Sequence, residues 1–147
     1  MDKITIIMNR EIKFRGIAEF GDLSGKWVYG SLVYDYDKET FISVSGYGHT
    51  GSAFSGCYKV LPKTVGQFTG LKDKNGMEIY EGDIVKNESA GFFGVIKFKD
   101  SAFIIDIDKI KGTLFACLQT DSFEVMGNMH DNPELLNGGN YGQEDNH

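Results

Sequence analysis

From Thr64 to Lys86 the chain reads Thr-Val-Gly-Gln-Phe-Thr-Gly-Leu-Lys-Asp-Lys-Asn-Gly-Met-Glu-Ile-Tyr-Glu-Gly-Asp-Ile-Val-Lys. Val65, Gln67, Thr69 and Leu71 alternate with Gly66, Phe68 and Gly70, the period of two that belongs to a strand. Lys72 to Gly76 forms a polar cluster, and Met77 to Tyr80 resumes the extended pattern. A polar loop closing on Asn75-Gly76 predicts a hairpin, because Asn and Gly accept the positive φ that joins two twisted antiparallel strands. Glu81-Gly82-Asp83 predicts a second turn, and Ile84-Val85 the next strand. The acids here also imitate a calcium loop. Counted from Asp73, however, Met77 and Glu78 fall where a ligand and an obligatory Gly are required, and the register fails.

Working outward, the same signals recur. Glu11 to Ala18 alternates, with Ile12 and Phe14 on one face and Lys13 and Arg15 on the other, as in a half-buried strand. Trp27–Tyr34 and Phe41–Val44 follow as strands, Tyr58–Leu61 is extended up to Pro62, and Phe92–Lys99 pairs with the run from Ala102 across Asp100-Ser101. Leu114–Leu118 and Glu124–Met126 add two more. Ser45 to Gly56, rich in Gly and Ser around His49, reads as the longest irregular stretch and as a loop that could carry function. Asn132-Pro133-Glu134-Leu135-Leu136 predicts one short helix, with Asn at the cap and Pro at its first position.

The totals agree with a turn-rich β protein. The chain has 147 residues, 41% hydrophobic and 13% aromatic, with 19 Gly and 2 Pro. That is nearly twice the usual Gly share of about 7%. Such a length buries a core without staples. The expected partition is a β part over 1–61, a second β part over 62–137 and a frayed acidic tail over 138–147. The net charge of −6 lies wholly toward the C-terminus. From Asp121 onward there are acids and no Lys or Arg, and the body before it is formally neutral. A neutral body with an acidic end does not look like a phosphate-backbone binder, which normally shows a basic face, although it leaves room for a local basic patch. Cys57 and Cys117 have no metal-ligand spacing, so neither a zinc site nor a disulfide framework is indicated, and a reducing, cytoplasmic setting is expected. The apolar run Ile4 to Met8 is too short for a signal peptide or a membrane span.

Four blocks together resemble the YopX-like proteins of bacteriophages, prophages and plasmids: Arg10-Glu11-Ile12-Lys13-Phe14-Arg15, Trp27-Val28-Tyr29-Gly30, the stretch Thr64–Val85, and Gly127-Asn128-Met129-His130-Asp131-Asn132-Pro133-Glu134-Leu135-Leu136. The resemblance implies a mainly β fold whose second part looks like an SH3-type barrel, and chains that assemble as a homo-oligomer. The spacing from Gly82-Asp83-Ile84-Val85 to Gly94-Val95-Ile96 also resembles the opening hairpins of small barrels. The family has no agreed catalytic residues, so none is transferred.

Three functions compete for these residues. Assembly with a host or phage protein, or with further copies of the chain, suits a many-stranded protein with sheet edges to cover, and the apolar arm Ile4–Met8 is one element for it. Single-stranded nucleic acid would use Lys72 and Lys74 at the hairpin tip with Arg10, Arg15 and nearby aromatics. A hydrolase would use Glu81 and Asp83, with His130-Asp131, if burial split the carboxyl pKa values. Acids flanking a turn glycine are commonly solvated or accept backbone N–H bonds, so the binding-module reading is preferred. Its candidate contact residues are Lys72, Lys74, Glu81, Asp83 and His49. No catalytic residue, metal or cofactor is expected.

Overall fold

Alternation and left-handed turns build nearly all of the structure. The computed structural model describes residues 11–47, 53–87, 91–106, 113–115 and 122–138. The arm at Ile4–Met8, His49 and the tail from residue 139 lie outside them. In chain order the strands are β1 (Phe14–Ile17), β2 (Trp27–Tyr34), β3 (Thr40–Tyr47), β4 (Ala53–Lys59), β5 (Gly66–Lys72), β6 (Glu78–Tyr80), β7 (Asp83–Asn87), β8 (Phe92–Lys99), β9 (Ala102–Asp106), β10 (Thr113–Phe115) and β11 (Phe123–Asn128). A 3-10 turn at Pro62–Thr64 separates β4 from β5, and a short helix, α1 (Glu134–Gly138), follows β11. The fold is mainly β, as expected.

The central hairpin stands where the sequence places it. Gly76 has φ of 80° at its tip, and Gly82 has φ of 91° at the following turn. Asp100 and Ser101, with φ of 51° and 66°, close the β8–β9 hairpin. Two successive left-handed residues match the twist of the strands they join.

The strands form a six-stranded sheet in the order β4-β3-β2-β1-β5-β6 and a five-stranded sheet in the order β10-β9-β8-β7-β11, with antiparallel pairing throughout. Neither sheet closes on itself among the described residues, so the barrel implied for the second part is not confirmed. The β5–β6 hairpin, which could have supplied further staves, is hydrogen-bonded to β1 through the register Phe14↔Gln67 and Arg15↔Gly66. Sheet membership therefore changes at Glu81-Gly82.

Two cores result. Ala18, Val28, Ile42 and Val60 fill the first, flanked by Phe14, Leu32 and Tyr58. Ile79, Val85, Ile96, Ile105 and Phe123 fill the second, with Leu71 and Val125 against them. Through Leu71 and Ile79, the β5–β6 hairpin belongs to the first sheet by its hydrogen bonds and to the second core by its side chains.

Two expectations are corrected. Most of Ser45–Gly56 is not irregular: β3 and β4 pair from Phe41↔Lys59 to Tyr47↔Ala53. Ladder bonds are made by the backbone, which Gly and Ser carry as well as any residue. The other correction concerns β1, where Arg15 is buried at 6% exposure while Ile12 is 49% exposed. Phe14 packs against the first core as expected, but Arg15 on the opposite face is buried too, so β1 is covered on both sides. Among the described residues no helix is long and apolar enough to cross a membrane.

Candidate functional site

The site is built around Arg15. Its side chain leaves β1 beside Trp27 of β2 and reaches the turn between β6 and β7. The guanidinium lies 4.5 Å from the Trp27 ring centroid and 5.0 Å from that of Tyr80, so two π-faces stabilise the cation. Its Nη2 donates to Asp83 Oδ1 at 2.8 Å. The second oxygen, Asp83 Oδ2, accepts the Tyr80 N–H at 2.7 Å across the turn. Asp83 is 2% exposed. Burial pushes its carboxyl above the ordinary range, opposed by the Arg15 guanidinium and the Tyr80 N–H. The turn is tight because Gly66 packs against the Glu81 carbonyl, where any side chain would collide with backbone.

A second layer comes from the loop after β11. Asn128 Oδ1 accepts the N–H groups of His130 and Asp131 at 3.0 and 2.9 Å, and its Nδ2 donates to Asp131 Oδ2 at 3.0 Å. Asp131 Oδ2 also accepts the Trp27 indole N–H at 2.8 Å. Met129 N–H donates to the Gly82 carbonyl at 2.9 Å, which ties this loop to the sheet junction. The His130 ring lies 5.9 Å from Trp27. Burial pushes its pKa below the ordinary value, and the positive charge of Arg15 adds to that.

The hydrogen bonds from Trp27 and Asn128 hold the Asp131 carboxyl below its ordinary pKa of 3.8. A carboxylate depressed by folding contributes stability that is fully present above the unfolded value and is lost as pH falls through the folded one. Trp27 is the sole tryptophan. Its fluorescence should therefore change below about pH 3.8, as Asp131 takes up a proton and its acceptor weakens. Asp131→Ala should show the altered emission already at pH 7 and lack the acid step. An acid step that persists in this variant would refute the link.

Beside Arg15 a cavity of about 300 Å³ opens at the sheet junction. Arg15 and Asp83 lie at its charged base, and Met77 and Val125 give apolar lining. Tyr29 and Tyr80 meet edge-on at 5.5 Å between centroids, and Lys13 bridges to Glu78 at 2.6 Å. Burial, with the nearby Glu78 charge, pushes the Tyr80 phenol up to about 12, so it stays protonated at neutral pH. Two buried polar atoms here, Arg15 Nε and Tyr80 Oη, have no hydrogen-bond partner among the described residues.

Of the candidate contact residues, Asp83 alone among the described ones lines this cavity, together with Arg15, which the sequence offered to the nucleic-acid reading. Glu81, in the same turn, is half-buried and accepts the Gln67 N–H on Oε1 at 3.3 Å. Lys72 is exposed at the end of β5, and Lys74 lies 3.5 Å from Glu124 Oε2. Arg15 is covered by rings and is not presented to a nucleic-acid backbone. Sequence reasoning missed Trp27 and Tyr80 as the rings against Arg15, and Asn128 and Asp131 as the pair that holds Trp27. The available signal was that each belongs to one of the four blocks quoted above.

No curated protein matches the chain. Among solved structures, the crystal structure of protein EF1440 from Enterococcus faecalis is similar, with 24% identity and a TM-score of 0.45, covering 86% of this chain and 99% of that one. The family model described as YopX protein matches residues 13–137, a span that takes in Arg15, Trp27, the central hairpin and the Asn128–Asp131 loop, and the chain belongs to the YopX protein family.

Proposed function

We propose that this chain is a non-enzymatic binding or adaptor module of a phage or other mobile element, acting on protein partners in the bacterial cytoplasm and assembling with copies of itself. One observation carries the reading: residues from three distant blocks, with Val125 of β11, converge on a cavity whose charges are already paired. Arg15 is matched by Asp83 and Lys13 by Glu78. A carboxylate held between a guanidinium and a backbone N–H is poorly placed to move protons, which favours binding over hydrolysis at Glu81 and Asp83. The buried Arg15 and the Lys74–Glu124 pair also take two cations away from the single-strand reading.

The test is capture from host lysate with the tagged protein, with and without nuclease, alongside light scattering of the purified chain. A discrete protein partner retained after nuclease is the expected result. Partners that vanish with nuclease, in a salt-dependent manner, would move the assignment to nucleic acid. Removing residues 2–9 should lower the scattering mass, and an unchanged mass would exclude that arm from the assembly.

A further inference from the structure

We infer that the outer edge of β4, over residues 53–57, pairs with the same edge of a second copy, antiparallel about a two-fold axis at Ser55. This rests on the self-assembly reading above and names the surface that performs it. Among the described residues β4 ends the first sheet. β2 pairs with β3 from Tyr34↔Thr40 to Ser31↔Ser43 and then with β1, whereas β3 and β4 continue together to Tyr47↔Ala53. Residues 44–47 and 53–56 thus stand out as a two-stranded ribbon, which is marginal in water until a further strand joins it.

The phase of the ladder fixes which backbone groups are free. The Val60 N–H donates to the Thr40 carbonyl, so even-numbered residues of β4 bond to β3 and odd-numbered ones face outward. The Lys59 carbonyl obeys this alternation and accepts the Glu19 N–H at 2.8 Å. The outward groups left over are those of Ala53, Ser55 and Cys57, a set centred on Ser55. On the two-fold axis Ser55 meets its own equivalent, and Ala53 meets the second copy's Cys57.

Natural sheet edges are kept from pairing by charge, brevity, bulges or cover. The other three sheet ends carry such devices. β6 and β10 have three residues each, and β11 is bulged between Val125 and Gly127 with its Val125 N–H taken by Asp73. β4 has seven residues in unbroken register with β3. Residues 40–58 contain no Asp, Glu, Lys or Arg, in a chain that is 24% charged. This neutrality and the symmetry of the free groups select a second copy. A two-fold brings the strand against itself, so a charge on it would meet the same charge across the axis, and this strand has none to repel.

The experiment combines light scattering with amide hydrogen exchange of the full chain from about 10 µM to about 1 mM, the range of a small edge contact. Protection of the Ser55 and Cys57 amides should rise with concentration in step with the mass. Gly56, whose N–H faces β3, should be protected throughout. Ser55→Pro removes an outward N–H and no bond to β3, so it should weaken pairing about 10- to 100-fold and leave the urea midpoint close to that of the natural protein. Ser55→Lys sets like charges across the axis and should do the same, while Ser55→Thr should keep the mass. Mass and protection unchanged in the Pro and Lys variants would overturn the inference and leave self-assembly to another surface. Protection that is independent of concentration and lost on removing residues 2–9 would mean that the chain's own arm covers β4, and would also overturn it. So would protection that requires an added host protein. A monomer at the highest concentration would overturn both this inference and the self-assembly reading. Pairing abolished by Ser55→Pro would uphold the inference even if no partner is captured from lysate.

Discussion

Arg15→Ala is expected to destabilise the protein by about 3–5 kcal/mol in urea denaturation at pH 7, the loss typical of removing one partner from a buried ion pair. The reason lies in what remains. Asp83, at 2% exposure, would keep a single hydrogen bond from the Tyr80 N–H and no counter-charge. Trp27 and Tyr80 would lose the cation packed between them. An exposed pair is worth only about 0–1 kcal/mol, so a loss under about 1 kcal/mol would show that the guanidinium is in contact with solvent. Arg15→Lys should recover little, because an ammonium cannot lie flat between two rings. Arg15→Met combined with Asp83→Asn should recover most, since neither charge is then left buried and Asn still accepts from Tyr80.

The pH dependence has a definite sign. Burial already raises the Asp83 carboxyl, and Arg15 opposes that rise. Without Arg15 the folded-state pKa climbs further. A raised carboxyl favours the fold below its unfolded pKa and loses that advantage as pH increases through the folded value. The gap between Arg15→Ala and the natural protein should therefore narrow as pH falls from 7 toward 4. A gap that widens in acid would contradict the assigned pairing.

Asp73→Ala should cost about 3 kcal/mol or more, because three backbone donors lose one carboxylate and hydrogen bonds to a charged group are worth about 1.5–3 kcal/mol each. Asp73 Oδ1 accepts the N–H groups of Asn75 and Met77 at 2.8 and 2.9 Å, which shapes the hairpin tip. Its Oδ2 accepts the Val125 N–H at 2.9 Å, and the neighbouring Lys74 N–H donates to the Phe123 carbonyl. One side chain thus shapes a turn of the first sheet and fastens it to β11 of the second.

Burial alone would raise the Asp73 carboxyl, but the bonds from Val125, Met77 and Asn75 outweigh it and leave the pKa below 3.8. Its contribution is fully present above that value and disappears as pH falls through the folded one. Asp73→Asn, with one acceptor oxygen left, should lie between Ala and the natural residue and should flatten the acid limb of the stability curve. Equal stability for Asn and Asp would mean that the charge is immaterial.

The sequence by itself determined the ribbon-like middle of this protein: strand, Asn75-Gly76, strand, Gly82, strand, then the return at Asp100-Ser101. These are local properties, since a positive φ and a period of two are decided within a few residues and do not wait for distant partners. The family was legible for the same reason, its blocks being continuous runs. Only the tertiary structure decided that Arg15 is buried while Ile12 is exposed, that Asp83 answers a guanidinium instead of solvent, and that Trp27 and Asp131 meet. It alone recruited the β5–β6 hairpin to β1. Those outcomes depend on which distant segments cover one another, a competition for burial and for hydrogen-bond partners that no local period records.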